Sequence, residues 1–96
     1  MRLRKKIINF DSGTDLVCIL NVSDAKAINV FAGERVLLNN HIEAIVDTTR
    51  SSKKGTIGIL KSNSHLFNKL KTKKYIDVKP EPHQEGLNVI KKKLKE

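Results

Sequence analysis

The sequence predicts a mainly β fold with short helices: a small barrel of two interlocked β-α-β halves, followed by a linker and a C-terminal helix. Three observations carry this. The stretch from Leu16 to Asn39 reads as strand, helical turn, tight turn, strand; residues 56 to 80 repeat that order; and the chain changes character after Pro80. Each half alone leaves an apolar face uncovered, so the two must close on each other, and closure also removes the open sheet edges. At 96 residues the chain is one domain's worth, long enough to bury a core without disulfides.

LRKKIINFD is β-branched enough for a first strand, closed by the turn signal from Asp11 to Asp15. LVCIL is an unbroken apolar run of strand length, which predicts a strand buried on both faces. Ser23 stands where it would cap a short helix from Asp24 to about Ile28, with the Asp24 carboxylate in the first turn. Asn29 then serves as a left-handed terminating residue, Gly33 supplies a turn that needs positive φ, and RVLLN returns as a strand. Asn39-Asn40 predicts a hairpin turn, because asparagine tolerates positive φ. HIEAIVD alternates, with Ile42, Ala44 and Val46 on one face and His41, Glu43 and Asp47 on the other.

TTRSSKKG is a polar, glycine-terminated loop, and TIGIL is a short strand whose Gly58 signals a bulge or a close backbone approach. Lys61 to Ser64 offers several caps for a helix HLFNKLK, which places Leu66, Phe67 and Leu70 on one face. TKKYIDVKP returns with Ile76 and Val78 inward. Aligning Ile28 with Leu70 and Val36 with Ile76 superposes helix on helix and return strand on return strand. The barrel domain therefore covers residues 1 to 80. Residues 81 to 96 are a prolyl linker and a lysine-coated helix whose apolar stripe, Leu87, Ile90 and Leu94, needs a docking surface, on this barrel or in a region beyond Glu96.

The charge is uneven. Residues 1 to 48 carry six Lys or Arg and six Asp or Glu, whereas residues 49 to 96 carry thirteen and four, which accounts for the net charge of +9. Such a half can be a nucleic-acid footprint, in which Arg50, Lys53, Lys54, Lys71, Lys73 and Lys74 would hold phosphates. Solvated lysines are the preferred reading, because the aromatic residues are not interleaved with the basic runs as base stacking requires. Cys18, inside the most apolar strand, is expected to be a buried hydrophobe rather than a nucleophile. His41 and Glu43, with His65 and His83 scattered elsewhere, do not make a metal site. Gly55-Thr56-Ile57-Gly58 lacks the lysine-bearing helix start of a phosphate loop, and Ser12-Gly13-Thr14 is an ordinary turn. No apolar stretch is long enough for a spanning helix and no signal-peptide core follows the basic N-terminus, so the expected location is cytoplasmic.

In order, LNVSDAKAINVFAGERVLL, HIEAIVDTT, KKGTIGIL, YIDVKPEP and GLNVIKKKLKE resemble the N-terminal domain of the thymidine phosphorylase family, of the type that includes archaeal AMP phosphorylase. That family reads N-x-x-D-A-x-x-x-G-(I/V)-x-x-G-(D/E)-x-V, then A-x-V-D-x-(T/S), G-E-I-G, V-x-P-x-P and an I-x-K-K-L helix. The likeness spans nearly the whole chain. Asn29 stands at the family's helix-terminating glycine, Ala32 at its usual proline and Thr56 at the acid of G-E-I-G, and the segment KLKTKK is shorter and more basic.

The resemblance implies a double-psi type β-barrel. It also implies that the full-length enzyme transfers a pentosyl group from a nucleoside or nucleoside monophosphate to phosphate, with catalytic domains in the same chain and a homo-oligomeric assembly. No family motif for phosphate or base matches a residue here, so no catalytic, cofactor-binding or metal-binding residue is assigned; phosphate would be a co-substrate bound elsewhere. The expected role of this domain is assembly and packing on the catalytic body through Leu87, Ile90 and Leu94. Neither membrane nor nucleic acid is the expected partner. The alternative is a stand-alone basic nucleic-acid-binding β-barrel, related in its G-(D/E)-x-V turn to swapped-hairpin DNA-binding regulators, which are typically shorter.

Overall fold

A computed structural model describes residues 1–81. Within them lie strands β1 (Arg2–Asp11), β2 (Val17–Asn21), β3 (Arg35–Leu38), β4 (Ile42–Thr49), β5 (Thr56–Lys61) and β6 (Tyr75–Pro80). Two short helices, α1 (Val22–Ala27) and α2 (His65–Lys71), connect β2 to β3 and β5 to β6. The strands close into a barrel in the order β1-β5-β2-β4-β3-β6. β1 runs parallel to β5 and β2 parallel to β4, while every other neighbouring pair is antiparallel.

This order is unchanged when β1-β2-α1-β3 is exchanged with β4-β5-α2-β6. The register obeys the same exchange residue by residue. Leu3 pairs with Ile76 as Ala44 pairs with Val36, and Lys5 pairs with Ile57 as Val46 pairs with Cys18. Ile19 opposite Gly58 and Leu38 opposite Val78 are the self-related pairs. The predicted equivalence of Val36 and Ile76 is thus a property of the fold. Each half inserts a strand into the other, β5 between β1 and β2 and β2 between β5 and β4, which is the double-psi arrangement.

Alternation along the strands fills the barrel. Cys18, Leu20, Val36, Leu38, Ile57, Ile59, Ile76 and Val78 are fully buried, and Ile42, Ala44 and Val46 nearly so. From the helices, Ala25, Phe67 and Leu70 join the same cluster, and Leu66 packs against it half-buried. β2 corrects one expectation: Val17 and Ile19 are only half-buried, so this strand is buried on its inner face and partly covered outside. A barrel strand has one interior face, and the two short helices do not cover the outer face of β2 as helices cover an open α/β sheet.

The cap of α1 is also corrected. Asn21, not Ser23, is the N-cap; its side-chain oxygen accepts from Ser23 N at 2.8 Å, and the helix starts at Val22. Asparagine at the strand end does two jobs that Ser23 could not, since its Nδ2 also donates to Ser52 O at 2.7 Å. α2 is capped by Ser64, whose Oγ accepts from Leu66 N at 3.2 Å. Asn29 at φ 60°, and Asn39 and Asn40 at φ 52° and 73°, take the left-handed conformations expected of them. The linker from residue 82 and the stripe of Leu87, Ile90 and Leu94 lie outside the described residues.

Candidate functional site

β1 begins Arg2-Leu3-Arg4-Lys5-Lys6, four cations around one hydrophobe. Burying Leu3 against Ile76 in the barrel turns Arg2, Arg4 and Lys6 outward. The closed topology then lays β1 between two other basic segments. On one side Arg4 N donates to Gly55 O at 2.9 Å, which sets Lys53 and Lys54 beside it. On the other side Lys5 N donates to Lys74 O at 2.9 Å, and Lys5 Nζ donates to Lys71 O. Segments far apart in the chain form one cationic face.

Tyr75 sits within that face at 41 % exposure, with the Arg2 guanidinium 4.4 Å and Lys74 Nζ 5.8 Å from its ring centroid. This overturns the expectation that no aromatic residue is interleaved with the basic runs. Of the residues predicted to hold phosphates, Lys53 and Lys54 flank β1 on one side and Lys71, Lys73 and Lys74 lie toward the other; Arg50 lines neither concavity described below. Sequence reasoning missed Arg2, Arg4 and Lys6. Their excess was hidden by acids elsewhere in the same half, and the signal that could have found them was the period-two alternation with Leu3.

Two concavities open on the side of β1 that faces the β4–β5 loop. The first, of about 460 Å³, is lined by Arg4, Lys5, Lys6, Lys53, Lys54, Gly55 and Thr56. The second, of about 340 Å³, is lined by Lys6, Ile8, Ile19, Ser51, Ser52, Lys53, Thr56 and Gly58. They share Lys6, Lys53 and Thr56, and no carboxylate lines either. Three contacts brace the loop between them: Asn21 Nδ2 to Ser52 O, Gly55 N to Asp24 Oδ2 at 2.8 Å, and Thr56 Oγ1 to Lys53 O at 2.6 Å. Gly55 takes φ 81°, a conformation open to glycine at little cost.

No family model and no curated protein matches this chain.

Elsewhere the chemistry is sparse. His41 is exposed in the hairpin turn, Glu43 exposed on β4 and His65 exposed at the start of α2, while His83 lies outside the described residues. Among the described residues no three His, Cys, Asp or Glu side chains are grouped to hold a metal ion. Cys18 is fully buried, and desolvation pushes its thiol up to about 12, so it stays protonated at neutral pH. Gly55 to Gly58 opens a strand, not a helix. No helix of the described residues is long and apolar enough to cross a membrane.

Proposed function

We propose that this barrel is the non-catalytic N-terminal domain of a thymidine phosphorylase-like enzyme of the cytoplasm. The full-length form would transfer a pentosyl group from a nucleoside or nucleoside monophosphate to phosphate, and the domain would serve assembly and packing on the catalytic body. The observation that carries the reading is the two-half interlocked barrel, which is the fold the sequence resemblance implies. Two details of that resemblance find physical reasons in the barrel. Asn29 occupies the family's glycine position in the left-handed conformation that glycine would take, and Gly33 follows at φ 88°. The partners on this reading are the catalytic domains of the same chain and further copies of it, with Leu87, Ile90 and Leu94 as the docking stripe.

The test is to extend the reading frame past Glu96 and assay the encoded protein for phosphorolysis of thymidine and of AMP, with and without residues 1–81. The expected result is turnover by the long protein, none by the 96-residue chain, and a smaller assembly by light scattering when the barrel is deleted. A long protein that assembles identically without the barrel would remove the assembly role, and a reading frame with no catalytic region would remove the whole reading.

The cationic face favours a second reading, the stand-alone nucleic-acid-binding module, because three basic segments and Tyr75 converge on it. Titration with duplex DNA separates the two. Binding that disappears at physiological salt reports counterion release alone, whereas binding that survives it supports the module.

A further inference from the structure

We propose that the paired concavities beside β1 form a nucleotide-binding site, with the phosphate in the cationic one and the base or ribose in the other. This stands on the surface itself and holds whichever reading of the whole protein is correct. The argument begins with charge. Arg4, Lys6, Lys53 and Lys54 converge on one concavity, and none of them has a carboxylate partner within salt-bridge distance among the described residues. Convergent like charges raise each other's free energy, and a dianionic phosphate relieves that repulsion while accepting their hydrogen bonds. Gly55 N is not available to the anion, since Asp24 already holds it, so recognition falls to the side chains.

The adjoining concavity shares Lys6, Lys53 and Thr56 with the first and differs in the residues it adds. Ile8 and Ile19 give it apolar walls, and its rim is hydroxylic. Ser51 Oγ is engaged with Thr49 Oγ1 at 2.8 Å and Thr56 Oγ1 with Lys53 O, but Ser52 Oγ is the one buried side-chain oxygen among the described residues without a hydrogen-bond partner. Its carbonyl is held by Asn21 and the residue lines the concavity, so a turn about χ1 would bring the buried hydroxyl to a ligand there, to which it could donate and from which it could accept. A ligand that satisfies both halves carries a phosphate next to a flat, mostly apolar body with a polar edge. A nucleoside monophosphate has that form, free or as one unit of a single strand, and each concavity lies within the size range of small-molecule sites.

The test is amide-shift titration of the 96-residue chain with AMP and UMP, with inorganic phosphate and adenosine as controls, and with a short oligouridylate. We expect AMP to shift Lys6, Ser52, Lys53, Thr56 and Gly58 saturably, and phosphate alone to bind at least about tenfold more weakly and to leave Ser52 unmoved. Lys53→Glu with Lys54→Glu, both exposed loop positions, should weaken AMP by at least about tenfold with the remaining spectrum unchanged. Ser52→Ala should weaken AMP and leave phosphate binding intact. Oligouridylate that binds more than about tenfold tighter than UMP, with shifts reaching Tyr75, assigns the site to single-stranded RNA; equal affinities assign it to free nucleotides. Phosphate that reproduces every AMP shift at the same affinity, an acidic peptide that does so, or no saturable shift at all would overturn the proposal.

Discussion

Gly58 lies opposite Ile19 on β2, one of the self-related pairs of the barrel, and Ile8 fills the space where its side chain would be. A Cβ at Gly58 would sit 2.3 Å from Ile8 Cδ1 and 3.1 Å from its Cγ1. Ile8 must therefore rotate or withdraw if Gly58 is replaced. Gly58→Ala is expected to lower stability by about 1–2 kcal/mol through overpacking, partly offset by alanine's smaller loss of backbone entropy. In an Ile8→Ala background the same substitution should be close to neutral. Urea unfolding of the four proteins measures the coupling directly, and additivity within about 0.3 kcal/mol would show that Ile8 yields without resistance.

Asn21 is the only buried polar residue among the described ones, and it links two parts of the molecule. Its oxygen caps α1 and its amide holds the loop at Ser52. Asn21→Ala should cost about 2–3 kcal/mol, the sum of a lost cap and an unpaired carbonyl. Asn21→Asp keeps the acceptor and loses the donor, so it should fall between wild type and Asn21→Ala. Thermal unfolding with amide exchange at Ser23 separates the two contributions: exchange there should accelerate in the alanine variant and stay slow in the aspartate one.

The strands and both helices were legible because each is short, alternating or periodic, and bounded by turn residues. Leu66, Phe67 and Leu70 marked α2, and Ile42, Ala44 and Val46 marked the inner face of β4. The equivalence of Val36 with Ile76 made the two halves visible before any pairing was known. What could not be read was which strands lie side by side. Parallel contact between β1 and β5 joins residues about fifty positions apart, as Arg4 opposite Thr56, and no local pattern encodes such a pairing. The cationic face depends on that contact, so charge counted along the chain put the excess in the second half and left Arg2, Arg4 and Lys6 out. The cap was misread for a related reason: Asn21 and Ser23 are both good caps by residue type, and the distant Ser52 carbonyl favours Asn21.

Asn29 ends α1 at φ 60°, where a Cβ is disfavoured. Its backbone N–H donates to Lys26 O at 3.1 Å, so the left-handed conformation is tied to the helix end. Asn29→Gly is expected to stabilise the barrel by a few tenths up to about 1 kcal/mol, and Asn29→Val to destabilise it by about 1–2 kcal/mol. Because the side chain is exposed, neither change disturbs the core. Equal stabilities for the two variants in chemical denaturation would mean that the turn relaxes out of the left-handed region.

Cys18 provides a prediction in pH. Burial raises its thiol from 9.0 to about 12, so above pH 9 the unfolded chain releases a proton that the folded barrel retains. The unfolded state then binds fewer protons than the native one, and stability falls as pH rises through that window. Below pH 9 the contribution is constant. Other groups also titrate at alkaline pH, so the useful quantity is the difference between wild type and Cys18→Val, a near volume-conserving exchange expected to cost less than about 1.5 kcal/mol at neutral pH. From pH 9 upward wild type should lose up to about 1.4 kcal/mol per pH unit relative to the variant. A thiol reagent added at pH 8 should label Cys18 only through opening of the barrel, with a rate that denaturant increases. A flat difference between the two proteins up to pH 10.5, or fast labelling of the native state, would show that solvent reaches the inner face of β2.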